Sequence, residues 1–162
     1  MKKTILIISG GTEAVPGIQL AKKLGLKVVV SDADLNAPGF EFADHKLIAS
    51  TYDVDATVIA ATKFHKNVNP IDGVICIASD VPLTVAKVAD ELKLPGISIA
   101  SAKLAIDKLA MKNCFLKDKV SVPWFTSIES AIDLKNKVKV KGFPLVIKPV
   151  DSRGSRGVLR LL

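Results

Sequence analysis

The assignment of this chain rests on one stretch, Gly142-Phe-Pro-Leu-Val-Ile-Lys148-Pro-Val-Asp-Ser-Arg153-Gly154-Ser155-Arg156-Gly157-Val158. Its apolar run from Phe143 to Ile147 predicts a buried strand, which Lys148 interrupts just before a proline. Because burial of a lone ammonium is costly, we expect this lysine to meet an anion. Glycines, serines and arginines follow, a composition that lets the backbone turn and aim N–H groups at phosphate. A second strand from Val158 to Leu162 completes a predicted hairpin whose tip covers polyphosphate.

The same stretch has a plainer interpretation, an ordinary surface hairpin whose lysine reaches water along its aliphatic stem. It is not a P-loop, because no Gly-Lys-Ser/Thr follows the glycines. The loop composition alone therefore leaves both interpretations open.

Length and composition favour a globular α/β protein. The chain has 162 residues, 49% of them hydrophobic and only 5% aromatic, which suits a buried parallel sheet. No apolar stretch approaches the length of about 20 residues that a membrane span needs, and the apolar run after Lys3 is too short for a signal peptide. We therefore expect a cytoplasmic protein. Cys76 and Cys114 lack metal or disulfide spacing and are expected to be reduced thiols.

Positive charge is concentrated in the C-terminal part of the chain. Residues 1–100 carry ten lysines against eleven acids, a net charge of −1, whereas residues 101–162 carry ten lysines and three arginines against five acids, a net charge of +8. Such asymmetry can indicate nucleic-acid binding, but the basic part lacks a nucleic-acid-binding motif. We expect a small anionic ligand, no nucleic acid and no membrane.

The first hundred residues open with a βαβ pattern. Strands are predicted at Lys3 to Ser9 and Lys27 to Ser31, with Thr12 capping the helix between them. Asp32, about 20 residues beyond Gly10 and Gly11, invites a dinucleotide interpretation, but Gly-x-Gly-x-x-Gly is absent. Gly10, Gly11, Asp32 and Asp34 are therefore candidates for the rim of a substrate site. The stronger alternative is that they have only structural roles, in a turn and in a helix cap.

Further elements follow from periodicity and caps. A central strand at Val74 to Ala78 leads to a helix over 81–93 capped by Asp80, which ends a strand where open α/β sheets place ligands. A short strand over 94–99, a helix over 102–116, a strand over 122–125 and a helix over 127–138 with a Thr126/Glu129 capping box complete the pattern. In the predicted helix over 102–116, Leu104, Met111 and Phe115 form an apolar stripe. Lys108 lies either within this stripe or at its border, where its side chain would reach water.

The stretch 142–158 resembles the ATP-grasp superfamily at its glycine-rich loop. Pro95-Gly-Ile-Ser98, Ala105-Ile-Asp-Lys108-Leu-Ala-Met-Lys112 and Val120-Ser-Val-Pro123 are similar to the passage between the N-terminal and ATP-binding domains of that family. The resemblance implies a Rossmann-like parallel-sheet pre-ATP-grasp domain over 1–100, followed by the beginning of an ATP-grasp domain over 101–162. It also implies ATP-phosphate contacts by Lys108 and Lys148, with the loop residues Arg153, Gly154, Ser155, Arg156 and Gly157.

The family reaction that this resemblance implies is ATP-dependent ligation. A carboxylate becomes an acyl phosphate, which an amine or another nucleophile attacks. Within the family, the chain resembles the carbamoyl-phosphate-synthase-like branch. Family ligands for Mg²⁺ would lie beyond Leu162, so no metal ligand and no catalytic residue is assigned. We expect weak ATP binding and no ligation by the 162-residue chain. We also expect the residues after about 120 to be mobile or to pair across a homodimer.

Two other classes of protein remain open. An NAD(P)-binding Rossmann-type protein would use Gly10, Gly11 and Asp32. A non-catalytic subunit would bind nucleotide only with a complementing chain. Together with Gly10, Gly11 and Asp32, Asp80 is expected to contact the substrate. The sequence does not specify which acid and which amine are joined.

Overall fold

The computed structural model describes residues 2–152 and 154–162. The helices and strands, in chain order, are β1 (Thr4–Ile8), α1 (Val15–Lys23), β2 (Lys27–Asp32), β3 (His45–Ile48), α2 (Val54–Asn67), β4 (Gly73–Cys76), α3 (Pro82–Glu91), α4 (Ile99–Ile106), α5 (Lys108–Lys117), α6 (Ala131–Lys141), β5 (Leu145–Ile147) and β6 (Leu159–Leu161). The chain divides into two compact units, Met1–Lys103 and Leu104–Leu162, and the division falls within α4. The predicted domain assignments, 1–100 and 101–162, stay predictions.

A parallel four-stranded sheet organises the first unit. Its strand order is β3-β2-β1-β4, so β1 lies between two partners and hydrogen-bonds on both edges. This arrangement explains the uninterrupted apolar sequence of β1, because a strand covered on both faces has no solvent side. The predicted Rossmann-like α/β class is confirmed for this unit.

Alternation along the strands divides the core between the two faces of the sheet. Leu6 and Ile8 of β1 pack with Phe64 of α2 and Val88 of α3 on one face. Ile7, which points the other way, packs with residues of α1 and of strand β2 on the opposite face. Every buried apolar residue of the described chain lies between Leu6 and Ala102.

Several predicted elements and helix starts are wrong. The predicted strand over 94–99 is absent, and α4 begins at Ile99 instead. Asp80 does not cap α3, whose N-cap position is Val81, and Thr12 lies in a 3-10 turn rather than at a cap. The segment 122–125 forms no strand, and α6 begins after Ser130, whose hydroxyl accepts from Asp133 N at 3.1 Å, so the Thr126/Glu129 capping box does not form.

Two carboxylates accept backbone hydrogen bonds at the amino-terminal ends of β1 and β2. Asp72 accepts from Thr4 N at 2.8 Å and from the Lys3 ammonium at 3.3 Å. Asp44 accepts from Val28 N at 2.7 Å and pairs with Lys22. Sequence reasoning did not identify these contacts, because the partners are far apart in the chain.

The stability of the fold is expected to fall in acid. The Thr4 N–H and the Lys3 ammonium hold the pKa of Asp72 below its ordinary value. Partial burial acts to raise the pKa of Asp44, but the Lys22 ammonium and the Val28 N–H outweigh it and lower that pKa. Since the pKa values of both carboxyls are lower in the folded state, the unfolded chain binds more protons in acid. The stabilisation is therefore complete above the pKa of an unfolded aspartate, about 3.9, and is lost as the pH falls through the folded-state pKa values.

Thermal unfolding measured between pH 7 and pH 2.5 tests this expectation against a matched variant. The double substitution Asp44→Asn and Asp72→Asn should lower the melting temperature at pH 7 and flatten its decline in acid, because the variant has no proton to gain at these two positions. An acid decline equal in the two proteins would show that other carboxylates carry the pH dependence.

Candidate functional site

A cavity of about 550 Å³ lies within the second unit. It is enclosed by α5, the segment 123–128, α6 and the chain from Pro144 to Val150. Its lining combines apolar side chains with five lysines, Lys108, Lys112, Lys137, Lys141 and Lys148. A concave, largely apolar site with convergent cations is suited to a ligand that has both an apolar and an anionic part.

Lys108 owes its position to a break between two helices. The sequence predicts one helix over 102–116, but the structure has α4 and α5, separated at Asp107. The Asp107 carboxylate accepts from Leu109 N at 2.9 Å and from Ala110 N at 2.8 Å, which makes Asp107 the N-cap of α5. The predicted stripe through Lys108 is therefore wrong, because a continuous helix does not exist there. Lys108 is instead the first residue of α5.

The half-buried Lys108 side chain binds the segment that follows β5. Its ammonium donates to the carbonyl of Val150 at 3.1 Å and to the carbonyl of Ser152. The backbone N–H of Lys108 also donates to Val150 O, at 3.2 Å. An ammonium has three donors, so a third remains compatible with a ligand in the cavity.

Lys148 follows the last residue of β5 and lines the same cavity. Its side chain is exposed rather than buried. The premise that burial forces this lysine to meet an anion is therefore wrong, since β5 ends at Ile147. What the structure does provide is a shared cavity for Lys108 and Lys148, two residues that are distant in sequence.

Three further lysines of the cavity have defined partners. Lys112 lies over the Phe125 ring at 5.0 Å and Lys141 over the Trp124 ring at 5.4 Å. Lys137 pairs with Asp133 at 3.5 Å, one helical turn away. The helix predicted over 127–138 did not place Lys137 and Lys141 at a cavity. The folded arrangement brings them there because α6 begins later and runs to Lys141.

The glycine-rich segment forms a tight turn between β5 and β6. Gly154, Ser155 and Gly157 have φ angles of 62°, 58° and 71°, and Val158 N donates to Ser155 O at 3.3 Å. Ser152 Oγ donates to Arg156 O at 3.2 Å. The predicted antiparallel hairpin is present, with Leu145 paired to Leu161. Residues 154–157 do not line the cavity, and Arg153 lies outside the described residues.

The predicted substrate-side residues belong to the first unit, where structural roles account for part of the set. One oxygen of Asp32 accepts from Gly10 N at 2.8 Å and the other from Asp34 N at 3.0 Å. Ser9 has a φ of 82°, an uncommon conformation for a non-glycine residue that sequence reasoning missed. These contacts favour the turn chemistry that sequence analysis weighed against a ribose-binding role for Asp32.

Within 2–152 and 154–162, no group of three or more His, Cys, Asp or Glu side chains could hold a metal ion. The residues present therefore do not fit Mg²⁺ by themselves. In the same part of the chain, no helix is long and apolar enough to cross a membrane.

The first unit is a Rossmann-like α/β domain, and the second joins a lysine-lined cavity to a glycine-rich hairpin. A family model described as ATP-grasp N-terminal domain matches residues 18–96. The chain is 23% identical to a formate-dependent phosphoribosylglycinamide formyltransferase of Prochlorococcus marinus over 97% of its own length and 40% of that protein.

Solved structures give the same fold. An N5-carboxyaminoimidazole synthetase from Staphylococcus aureus, complexed with ADP, superposes with a TM-score of 0.77 at 22% identity, over 99% of this chain and 42% of that one. An L-amino acid ligase from Bacillus licheniformis superposes with a TM-score of 0.74 at 24% identity, over 99% and 39%. The family model identifies residues 18–96 as an ATP-grasp N-terminal domain, and the chain as a whole is similar to the N-terminal portion of ATP-grasp proteins. It spans about 40% of the length of the relatives it matches.

Proposed function

We propose that this chain supplies phosphate-binding groups to an ATP-dependent ligase. The complete protein would activate a carboxylate as an acyl phosphate, which an amine or another nucleophile then attacks. The observation that supports this most directly is the cavity shared by Lys108 and Lys148, the two lysines that the family resemblance assigns to nucleotide phosphates. Apolar side chains lining the same cavity suit a ligand with a hydrophobic base as well as an anionic tail.

The chemistry of this chain is limited to binding and orientation. Lysine ammonium groups attract phosphate oxygens and offset their charge, which is the main task of a protein in phosphoryl transfer. The remaining contribution, including any Mg²⁺ ligands, is proposed to come from a further part of the ATP-grasp fold, in the same polypeptide or on a complementing chain. Assignment to the carbamoyl-phosphate-synthase-like branch, a homodimer, and a cytoplasmic location are parts of the same proposal.

Gly154, Ser155, Arg156 and Gly157 are proposed to approach the phosphates when nucleotide binds. Positive φ angles at Gly154, Ser155 and Gly157 already give the tight turn that brings successive N–H groups toward an anion. Arg153 is included in the proposal from its sequence position alone. Substrate-side contacts by Gly10, Gly11, Asp32 and Asp80 remain predictions.

Calorimetric titration of the 162-residue chain with ATP tests the proposal. Lys148→Met should weaken ATP binding by about ten-fold to a hundred-fold, because a hydrogen bond to a charged group contributes roughly 1.5–3 kcal/mol. Lys108→Met should weaken it similarly. The matched control is Lys139→Met, which removes an exposed lysine of α6 that does not line the cavity and should change affinity less than about two-fold.

Two results would contradict this assignment. One is ATP binding that is equally strong in the Lys148→Met and Lys139→Met proteins, which would place the nucleotide elsewhere. The other is NAD binding tighter than ATP binding, which would favour the dinucleotide interpretation. ATP turnover with a carboxylate and an amine by this chain alone would instead refute the expectation that it is inactive without the remaining fold.

A further inference from the structure

We infer that Asp107 is a positioning residue that sets Lys108 to hold the base of the glycine-rich segment. The inference rests on the proposed function for its meaning in nucleotide binding, but the contacts on which it depends exist without nucleotide. They are the hydrogen bonds from Leu109 N and Ala110 N to the Asp107 carboxylate, which fix the first turn of α5, and those from the Lys108 ammonium to the Val150 and Ser152 carbonyls.

The first step is the start of α5. Asp107 has extended backbone angles, φ −124° and ψ 104°, so the helix cannot run through it from α4. Its carboxylate instead satisfies two of the N–H groups that a new helix leaves unpaired, those of Leu109 and Ala110. This fixes Lys108 as the first residue of α5.

The second step is the attachment of Lys108 to the loop. Both its N–H and its ammonium donate to Val150 O, and the ammonium also donates to Ser152 O. Ser152 in turn donates through its hydroxyl to Arg156 O at 3.2 Å. The backbone of the first turn of α5 and these hydrogen bonds together therefore connect the Asp107 cap to the turn that contains Gly154 and Gly157.

The consequence is that the helix cap and the loop share one lysine. The third donor of the Lys108 ammonium remains for a phosphate in the cavity, so the ligand would meet a lysine that the cap and the loop already hold in place. Loss of the Asp107 cap should therefore release the loop, although the hydrogen bonds of the Asp107 carboxylate go to Leu109 N and Ala110 N and not to the loop turn.

Limited proteolysis with trypsin measures release of the loop at the exposed Arg156–Gly157 bond, with the fragments followed by mass spectrometry. When opening is fast, the cleavage rate follows the population of the open loop. Asp107→Ala should raise this rate about five-fold, the ratio expected for loss of one helix cap. Lys108→Met should raise it at least as much, because it removes both ammonium contacts directly.

Two variants control for other causes. Asp107→Asn removes the charge but keeps a good capping side chain, so its cleavage rate should stay close to that of the unmodified chain. Asp53→Ala removes the equivalent cap of α2, where the carboxylate accepts from Ala56 N at 2.9 Å, and should leave the Arg156–Gly157 rate unchanged. ATP titration of the same proteins should show about five-fold weaker binding by Asp107→Ala and recovery in Asp107→Asn.

The results separate this inference from the proposed function. It is overturned if Asp107→Ala is cleaved no faster than the unmodified chain, if Asp53→Ala is cleaved equally fast, or if Lys108→Met leaves cleavage unchanged. If Asp107→Ala does not fold, Lys108→Met still decides whether the lysine holds the loop. Absence of ATP binding in every protein would refute the proposed function, while the nucleotide-free cleavage rates would still test the role of Asp107.

Discussion

Backbone amides of β1 are expected to exchange with solvent at least about a thousand-fold more slowly than those of an unfolded chain, whereas amides of β5 and β6 should be slowed by less than about a hundred-fold. The reason is the distribution of burial. The first unit contains all the buried apolar residues, while no residue from 104 to 162 that the structure describes is buried. A hairpin of two three-residue strands is marginal in water without further packing.

Helices α2 and α6 provide a matched comparison within the same hydrogen-exchange experiment. Both have a side-chain cap, from Asp53 and Ser130, but α2 buries Thr57, Ala61 and Phe64 whereas α6 buries none of its residues. We therefore expect strong protection in α2 and weak protection in α6, because tertiary packing supplies most helix stability. Equal protection in the two helices would mean that the second unit has a stable core of its own.

Gly39→Ala is expected to destabilise the first unit by about 2–3 kcal/mol, the upper part of the usual range for overpacking. An added Cβ would lie 2.9 Å from both Gly10 Cα and Gly10 O, and 2.6 Å from Ile18 Cδ1. The Gly10 backbone cannot easily move away, because Gly39 N donates to Gly10 O at 2.7 Å and Gly10 N donates to Asp32.

Gly73→Ala is the control, since a Cβ added there meets nothing within 4 Å. Urea unfolding should give a lower midpoint for Gly39→Ala with an unchanged slope, and a midpoint for Gly73→Ala that is equal to or above that of the unmodified chain. Equal midpoints in the two variants would show that the turn at Gly10 relaxes without cost.

Much of the fold was predictable because its signals are local. Apolar runs bounded by glycine predicted β1, β2 and β4. The Lys148 position and the glycine turn were also visible in the sequence, because strand, charge and turn residues follow one another directly. The burial of Lys148 was wrongly predicted, since pattern alone does not show where a short strand ends.

The start of α5 illustrates what local patterns miss. Apolar spacing from Leu104 to Phe115 fits a single helix, but an aspartate side chain can satisfy backbone N–H groups and end that regularity. Asp107 does so, and Lys108 then turns toward the segment after β5 instead of continuing an apolar stripe. Periodicity records which residues are apolar, and it does not record this competition for backbone hydrogen bonds.

The sequence by itself determined the α/β class, the resemblance to ATP-grasp proteins and the chemistry of the basic, glycine-rich end of the chain. Only the tertiary structure decided which lysines share a cavity, that Asp32 is engaged by backbone N–H groups, and that Lys108 binds the carbonyls of Val150 and Ser152. The physical reason is that composition and period are properties of neighbouring residues, whereas a cavity and its hydrogen bonds join residues about 40 positions apart, and only chain folding sets those distances.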